Sequence, residues 1–218
     1  MAKQLPSSNL YSHQGKLLED HLKNVAKFME LFLNEKPVSI RGEISPIVRV
    51  IGLSHDIGKA TNSFQKYLFA EEREKIKQKT KHSLFSAICS YYLCKELNMK
   101  NNLLPLFAYV TVRRHHGDLI DIRDEVSLFD ENDVNFLLSQ IDDIDDESFN
   151  ILIKHLLEYG LSNNSFDKNT IKKWIKNFNR ELLSFKRYLR QISEIKNYII
   201  LNILFSLLID ADKTDVVI

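Results

Sequence analysis

The sequence predicts an all-α protein of one domain, and three observations carry that prediction. Glycine and proline are scarce, six and four in 218 residues. Leu, Ile, Lys and Glu are abundant instead, a composition of long helices rather than of many short strands and turns. Apolar residues recur at helical spacing through most of the chain. Its 218 residues suffice for one well-buried core and do not demand a second, so residues 1–218 are read as a single unit.

Residues 1 to 12 read as an irregular lead-in. From about Lys16 to Leu33, the residues Leu18, Leu22, Val25, Phe28, Met29 and Phe32 mark one buried helix face. His21 lies on that face, where a lone histidine is more often a hydrogen-bonded core residue than a ligand. Pro37 to Pro46 reads as a connection. A second helix then runs from about Ile44 through His55 and Asp56 to Gly58, a natural C-terminal stop. Ser63 to Ala70 forms a short amphipathic helix. The stretch Glu71 to Lys81, with Arg73, Lys75, Lys77, Lys79 and Lys81, is a solvated loop at least as readily as a phosphate contact.

His82 opens the next helix, whose face of Leu84, Phe85, Ala87, Ile88, Tyr91, Tyr92 and Leu93 reaches to about Leu97. A further helix, Leu103 to about Arg114, has no charge before Arg113 and belongs at the centre of the core. It ends in Arg113-Arg114-His115-His116-Gly117. Adjacent side chains in a regular helix diverge by about 100°. His115 and His116 therefore converge only if the helix unwinds there, which Gly117 permits.

Two more helices fall near Asn132 to Gln140 and Phe149 to Tyr159. The acidic run between them, Asp142, Asp143, Asp145, Asp146 and Glu147, lacks the glycine and the last glutamate of a calcium loop and reads as a solvated linker. His155, among Leu152, Leu156 and Leu157, is a structural residue. From Thr170 two helical stretches follow, the second from about Glu181 to Ile209, ending in Asp210-Ala211-Asp212-Lys213-Thr214-Asp215. Aspartates at the buried end of an apolar helix are costly unless paired or coordinating a cation. For Asp210 and Asp215 a polar cap facing solvent is an open alternative.

Composition removes several function classes. Thirty Lys and Arg against 29 Asp and Glu give a net charge of +1, so no global basic field marks a nucleic-acid binder and any polyanion contact is local. Cys89 and Cys94 fit neither a CxxC pair nor a disulfide framework and read as buried core thiols. No signal peptide opens the chain and no apolar run of about 18 residues occurs, which points to a cytoplasmic protein without a membrane span.

The chemistry concentrates at Ser54-His55-Asp56-Ile57-Gly58-Lys59. A histidine and a carboxylate side by side, behind the apolar segment Ile47 to Leu53, form a metal-site nucleus whose buried polar groups need partners. The candidates are His21, His55, Asp56, His82, His115, His116 and Asp210 or Asp212. Imidazole with carboxylate suits manganese, iron, nickel, cobalt or zinc, and the absence of cysteine argues against a structural zinc knot. The inventory exceeds one metal's needs and includes a carboxylate able to bridge, favouring two divalent ions about 3.5 to 4 Å apart.

The ordered set of His21, His55-Asp56 with Gly58-Lys59, His82-Ser83, His115-His116-Gly117 and Ala211-Asp212 resembles the HD superfamily of metal-dependent phosphohydrolases. Within it, the chain looks most like the HD nuclease of type I CRISPR interference, over about residues 16 to 215. The resemblance implies an all-helical fold with a central metal-binding cleft and metal-dependent cleavage of DNA, chiefly single-stranded. It implies Asp56 as the bridge between two ions, with His55, His21 and Asp212 on one and His82, His115 and His116 on the other. Asp210 is the fallback for Asp212, and magnesium is a possible alternative to manganese, nickel, cobalt or iron. Lys59 would hydrogen-bond a phosphate oxygen or fix the nucleophile, although a surface lysine after a helix end is nearly as good a reading. Arg113, Arg114, Lys79, Lys81 and the cations from Lys168 to Arg190 are the DNA contacts to expect, with a superfamily 2 helicase and a crRNA-guided surveillance complex as partners. Ending at Ile218, the chain reads either as a stand-alone nuclease subunit or as a domain excised from a helicase fusion. Two rivals stay open: an HD-type nucleotide or cyclic-dinucleotide phosphohydrolase, and a non-catalytic metal-containing binding module.

Overall fold

The structure, a computed structural model, describes residues 6–71, 80–161, 166–188 and 194–217. Helices dominate, as the composition predicts. A small hairpin, β1 (Tyr11–His13) and β2 (Lys16–Leu17), turns through Gly15 at φ +82° and stands where an irregular lead-in is expected. Gln65 fixes it, accepting from the Tyr11 amide at 3.0 Å and donating to the Tyr11 carbonyl at 2.9 Å.

Helix α1 (Leu18–Leu33) buries Leu18, Leu22, Val25, Met29 and Leu33, the predicted stripe, and carries His21 inward. Helix α2 (Val38–Ser54) begins six residues earlier than Ile44, with Pro46 inside it. The proline is tolerated because the carbonyl it leaves unpaired is that of Gly42, an exposed residue open to water. A single 3₁₀ turn, Ile57–Ala60, follows and leads into α3 (Asn62–Phe69), which Thr61 caps.

Helices α4 (Ser83–Lys95) and α5 (Leu104–Arg114) are buried along almost their whole lengths and pack on each other, with α2 against both. A short α6 (Ile122–Glu125), unforeseen in the sequence, precedes α7 (Glu131–Asp142) and α8 (Asp146–Glu158). The acidic run is no free linker: Asp143 accepts from the Ser63 amide at 2.7 Å and Asp145 caps α8. Helix α9 (Lys168–Phe185) packs over α4 and α7, and the ring of its Phe178 lies 5.0 to 5.7 Å from those of Tyr91, Tyr109 and Phe129. His155 hydrogen-bonds the Pro6 carbonyl at 2.9 Å, a structural role as expected, and Cys89 and Cys94 are buried free thiols.

The last helix, α10 (Ile195–Val217), does not stop near Ile209 but continues through the aspartates, packed on α1, α2 and α5. Continuation places Asp212 and Asp215 one turn apart on the face toward α1 and leaves Asp210 exposed. No described helix is long and apolar enough to cross a membrane.

Helices α1 and α2 approach closely at Gly52, where an added Cβ would lie 2.4 Å from the Ala26 Cα. Alanine is favoured over glycine in a helix by about 1 kcal/mol. Overpacking against backbone that cannot rotate away costs about 1 to 3 kcal/mol and outweighs it. Gly52→Ala is therefore expected to lower the urea midpoint, and an unchanged midpoint would show that the two helices part without penalty.

Candidate metal centre

Asp56 is the fixed point of the site. The chain leaves α2 at His55 and turns sharply into the 3₁₀ turn, so the Asp56 carboxylate is fully buried beneath the ends of α1, α4, α5 and α10. Gly58 does not end a helix, as its position in the sequence suggested. It lets the start of α4 approach, since a Cβ there would meet the His82 carbonyl oxygen at 2.6 Å, and its amide donates to Ser86 Oγ at 2.9 Å.

The two Asp56 oxygens face different groups. Oδ2 lies 3.3 Å from His21 Nε2 and 3.5 Å from His55 Nε2, while Oδ1 lies 3.1 Å from His82 Nε2 and 3.2 Å from His115 Nε2. Asp212 Oδ1 completes the first group at 3.4 Å from His21 Nε2 and 3.8 Å from His55 Nε2. His116 completes the second, its Nε2 2.9 Å from that of His82. The helix does unwind after Arg114, and the His115 and His116 rings sit 3.8 Å apart. The donor atoms of each group of four converge within 4.8 Å: Asp56, His82, His115 and His116 in one, and His21, His55, Asp56 and Asp212 in the other.

The hydrogen bonds behind the rings test whether cations fit. Nδ1 of His55, His82 and His115 lies 2.9, 3.0 and 2.6 Å from the carbonyls of Gly52, Thr80 and Val112, and Nδ1 of His21 lies 2.6 Å from Asp215 Oδ2. Each partner only accepts, so each Nδ1 carries the proton and each Nε2 turns a lone pair inward. Carboxylates and imidazole lone pairs thus face one another across the centre. His55 Nε2 is buried with no hydrogen-bond partner. An acceptor-rich pocket of this kind suits divalent cations, which would replace the missing protons.

The electrostatics favour an ionised Asp56 and a neutral His55, and pull the other way at His21. Burial opposes charge on Asp56, but Lys59, His55 and His82 outweigh it and hold its carboxyl well below the usual range. Burial, aided by the neighbouring His21, keeps the His55 pKa down against the pull of Asp56 and Asp212. For His21, burial is overcome by the Asp215 and Asp56 carboxylates, and its pKa rises. Asp212 resists burial through His55 and stays low.

Lys59 is not a surface lysine: it is buried, with Nζ 2.6 Å from Asp56 Oδ2. Asp210 is exposed and meets Ser206, away from the histidines. Arg113 and Arg114 flank the double histidine, but both guanidiniums are tied to the buried Glu125, at 3.0 and 2.6 Å, which engages the charge expected to meet DNA. Lys81 is exposed beside His82, whereas Lys79 lies outside the described residues, as do Arg73, Lys75, Lys77 and Arg190. Lys168 and Lys172 pair with Asp146 and Asp142, and Lys173, Lys176, Arg180, Lys186 and Arg187 are exposed.

Two residues escaped the sequence reading. Asp215, with a solvent-facing cap as its alternative, is buried behind His21 and receives Asn24 Nδ2 at 2.9 Å and Lys16 Nζ at 2.8 Å. Its spacing of three from Asp212 was the available signal. His13, in the hairpin, sets its ring 5.4 Å from that of His21; a two-stranded sheet this short leaves no readable pattern.

The histidines fix the pH response of the metal-free protein. Burial, then Lys59, lowers the His13 pKa to about 4, and burial, then His115, lowers that of His116 to about 3. These two and His55 bind protons in the unfolded chain, starting near the ordinary value of 6.5, before they do so in the folded one. Stability is therefore lost as pH falls through that window. His21 acts in the opposite sense and is outnumbered. The melting temperature of the metal-free protein, followed by circular dichroism, is expected to fall steadily from pH 6.5 to about 4, and a flat or rising trend would contradict this balance.

No family model and no curated protein matches the chain. Among solved structures, it is similar to the CRISPR-associated Cas3 HD domain protein of Methanocaldococcus jannaschii, at 18% identity and a TM-score of 0.51, covering 94% of this chain and 98% of that one. The helical scaffold that gathers five histidines around Asp56 is thus the fold of a Cas3-type HD domain.

Proposed function

We propose that this chain is a metal-dependent phosphodiesterase that cleaves DNA, mainly single-stranded, by a two-metal mechanism in CRISPR interference. One observation carries the reading: a buried carboxylate divides its two oxygens between two separate groups of ligands. His21, His55 and Asp212 would hold one divalent ion and His82, His115 and His116 the other, with Asp56 between them. Bound ions supply Lewis-acid charge to a phosphate and lower the pKa of water so that hydroxide is available near neutral pH. The protein's own part is preorganisation. Carbonyls and Asp215 fix the imidazole rings, and Asp56 is locked by its turn. Lys59 Nζ sits at the shared carboxylate, placed to donate to a phosphate oxygen brought against it.

The DNA substrate is supported by the HD-set resemblance and by the Cas3 HD domain whose fold the chain shares. Lys81 lies on the exposed side of the site, and Lys173, Lys176, Arg180, Lys186 and Arg187 offer further positive charge on α9 and just after it. With a net charge of +1, unaided binding is weak, and a helicase with a crRNA-guided complex would deliver the strand.

Asp56→Asn preserves volume and removes the bridging charge. Cleavage of circular single-stranded DNA with manganese is expected to fall by about three orders of magnitude or more, the loss of roughly 4 kcal/mol of transition-state stabilisation, while helical circular dichroism is retained. Undiminished cutting would remove Asp56 from the mechanism. In the wild type, turnover of nucleotides without cutting of the circle would favour a nucleotide phosphohydrolase, and inertness a binding module. Binding of single-stranded DNA should also weaken steeply as salt rises from about 50 to 200 mM, and tight, salt-insensitive binding would contradict the electrostatic contacts.

A further inference from the structure

The two groups of ligands share Asp56 but differ in chemistry, enclosure and support. With Asp56, the first offers two carboxylates and two imidazoles, and the side chains of His21, His55 and Asp212 are 0%, 0% and 17% exposed. The second offers one carboxylate and three imidazoles, and His116, though its ring is crowded by His82 and His115, is the most exposed of the ligands. Divalent ions of the harder kind, manganese and magnesium among them, favour oxygen ligands. The first group is the better match, and the more enclosed.

Support behind the rings sharpens the contrast. His55, His82 and His115 rest on neutral carbonyls, whereas His21 rests on the carboxylate of Asp215. A carboxylate behind a ligating imidazole fixes the ring and raises its basicity. Asp215 is itself held by Asn24 and Lys16. Two cations work against the first group, Lys59 on Asp56 Oδ2 and Lys16 on Asp215. Neither reaches Asp212, whose ion-pair partners among the described residues are the two histidines.

We propose, on the two-metal reading above, that the centre fills in order. The enclosed group of His21, His55, Asp56 and Asp212 binds first and tightly; the open group of His82, His115 and His116 binds last and exchanges; Asp215 is the positioning residue that sets the gap. The second ion then arrives on the face that substrate also approaches, so the protein holds one resident ion and recruits the other.

The test titrates the metal-free full chain with manganese(II) alone, followed by calorimetry and by the paramagnetic resonance signal of the free ion. Two ions per chain are expected in two resolved events. Asp215→Asn should weaken the first by about 10- to 100-fold, the usual effect of losing such a partner, and leave the second unchanged. His116→Ala, at an exposed position, should delete the second and spare the first. Two ions of equal affinity in the wild type would overturn the order while leaving the two-metal reading intact. Loss of the tight event in His116→Ala, or equal weakening of both events in Asp215→Asn, would overturn it as well. One ion per chain would overturn the two-metal reading and the order together. The wild-type and His116→Ala titrations decide the order even if Asp215→Asn does not fold.

Discussion

The structure depends on keeping one ionised carboxylate, that of Asp56, entirely out of water. Isolated burial of a carboxylate is prohibitive, so everything within reach must answer its charge. Lys59 does so directly. The four imidazoles that ring it, from three other segments and from the neighbouring residue, turn lone pairs toward the same centre and leave the remaining compensation to the cations they would hold. That need explains local choices that otherwise look arbitrary. Gly58 gives up a side chain so that His82 can close in, and each ring spends its outer nitrogen on a carbonyl or on Asp215. The scaffold is stable because helices α1, α2, α4, α5 and α10 bury their apolar faces on one another, and their ends meet where the charge sits.

Much of this was legible in the sequence because it rests on short-range rules. The 3.6-residue period located α1, α4, α5 and α7 to within a few residues, since α1, α4 and α5 bury broad apolar faces and α7 a narrower one around Leu137 and Ile141. Where the reading slipped, a strong local signal was overridden by tertiary packing. Pro46 suggested a loop but falls where its missing bond is solvated, and the Asp-rich end of α10 suggested a terminus but is drawn on by contact with α1. The hairpin strands, three and two residues long, are too short to show alternation.

The candidate site was legible in its residues and partly hidden in its supports. Histidines and an aspartate on apolar stripes are conspicuous, and the seven named positions do converge. Their backing depends on backbone carbonyls, which every residue has and which no side-chain pattern reveals. The same blindness affected Arg113 and Arg114: their partner Glu125 stands in a four-residue helix that no periodicity could show.

The two halves of the centre also differ in how the chain must travel to build them. His82, His115 and His116 come from α4, α5 and their junctions, neighbours in sequence that pack extensively together. His21 and its support Asp215 are separated by 194 positions, and Asp212 lies on the same closing helix. One half is thus a product of local folding and the other of long-range closure, the slower event by topology. During synthesis the dicarboxylate half stays incomplete until α10 has emerged and docked. Whatever chemistry that half supports is withheld from every shorter nascent chain, a safeguard that follows from connectivity alone.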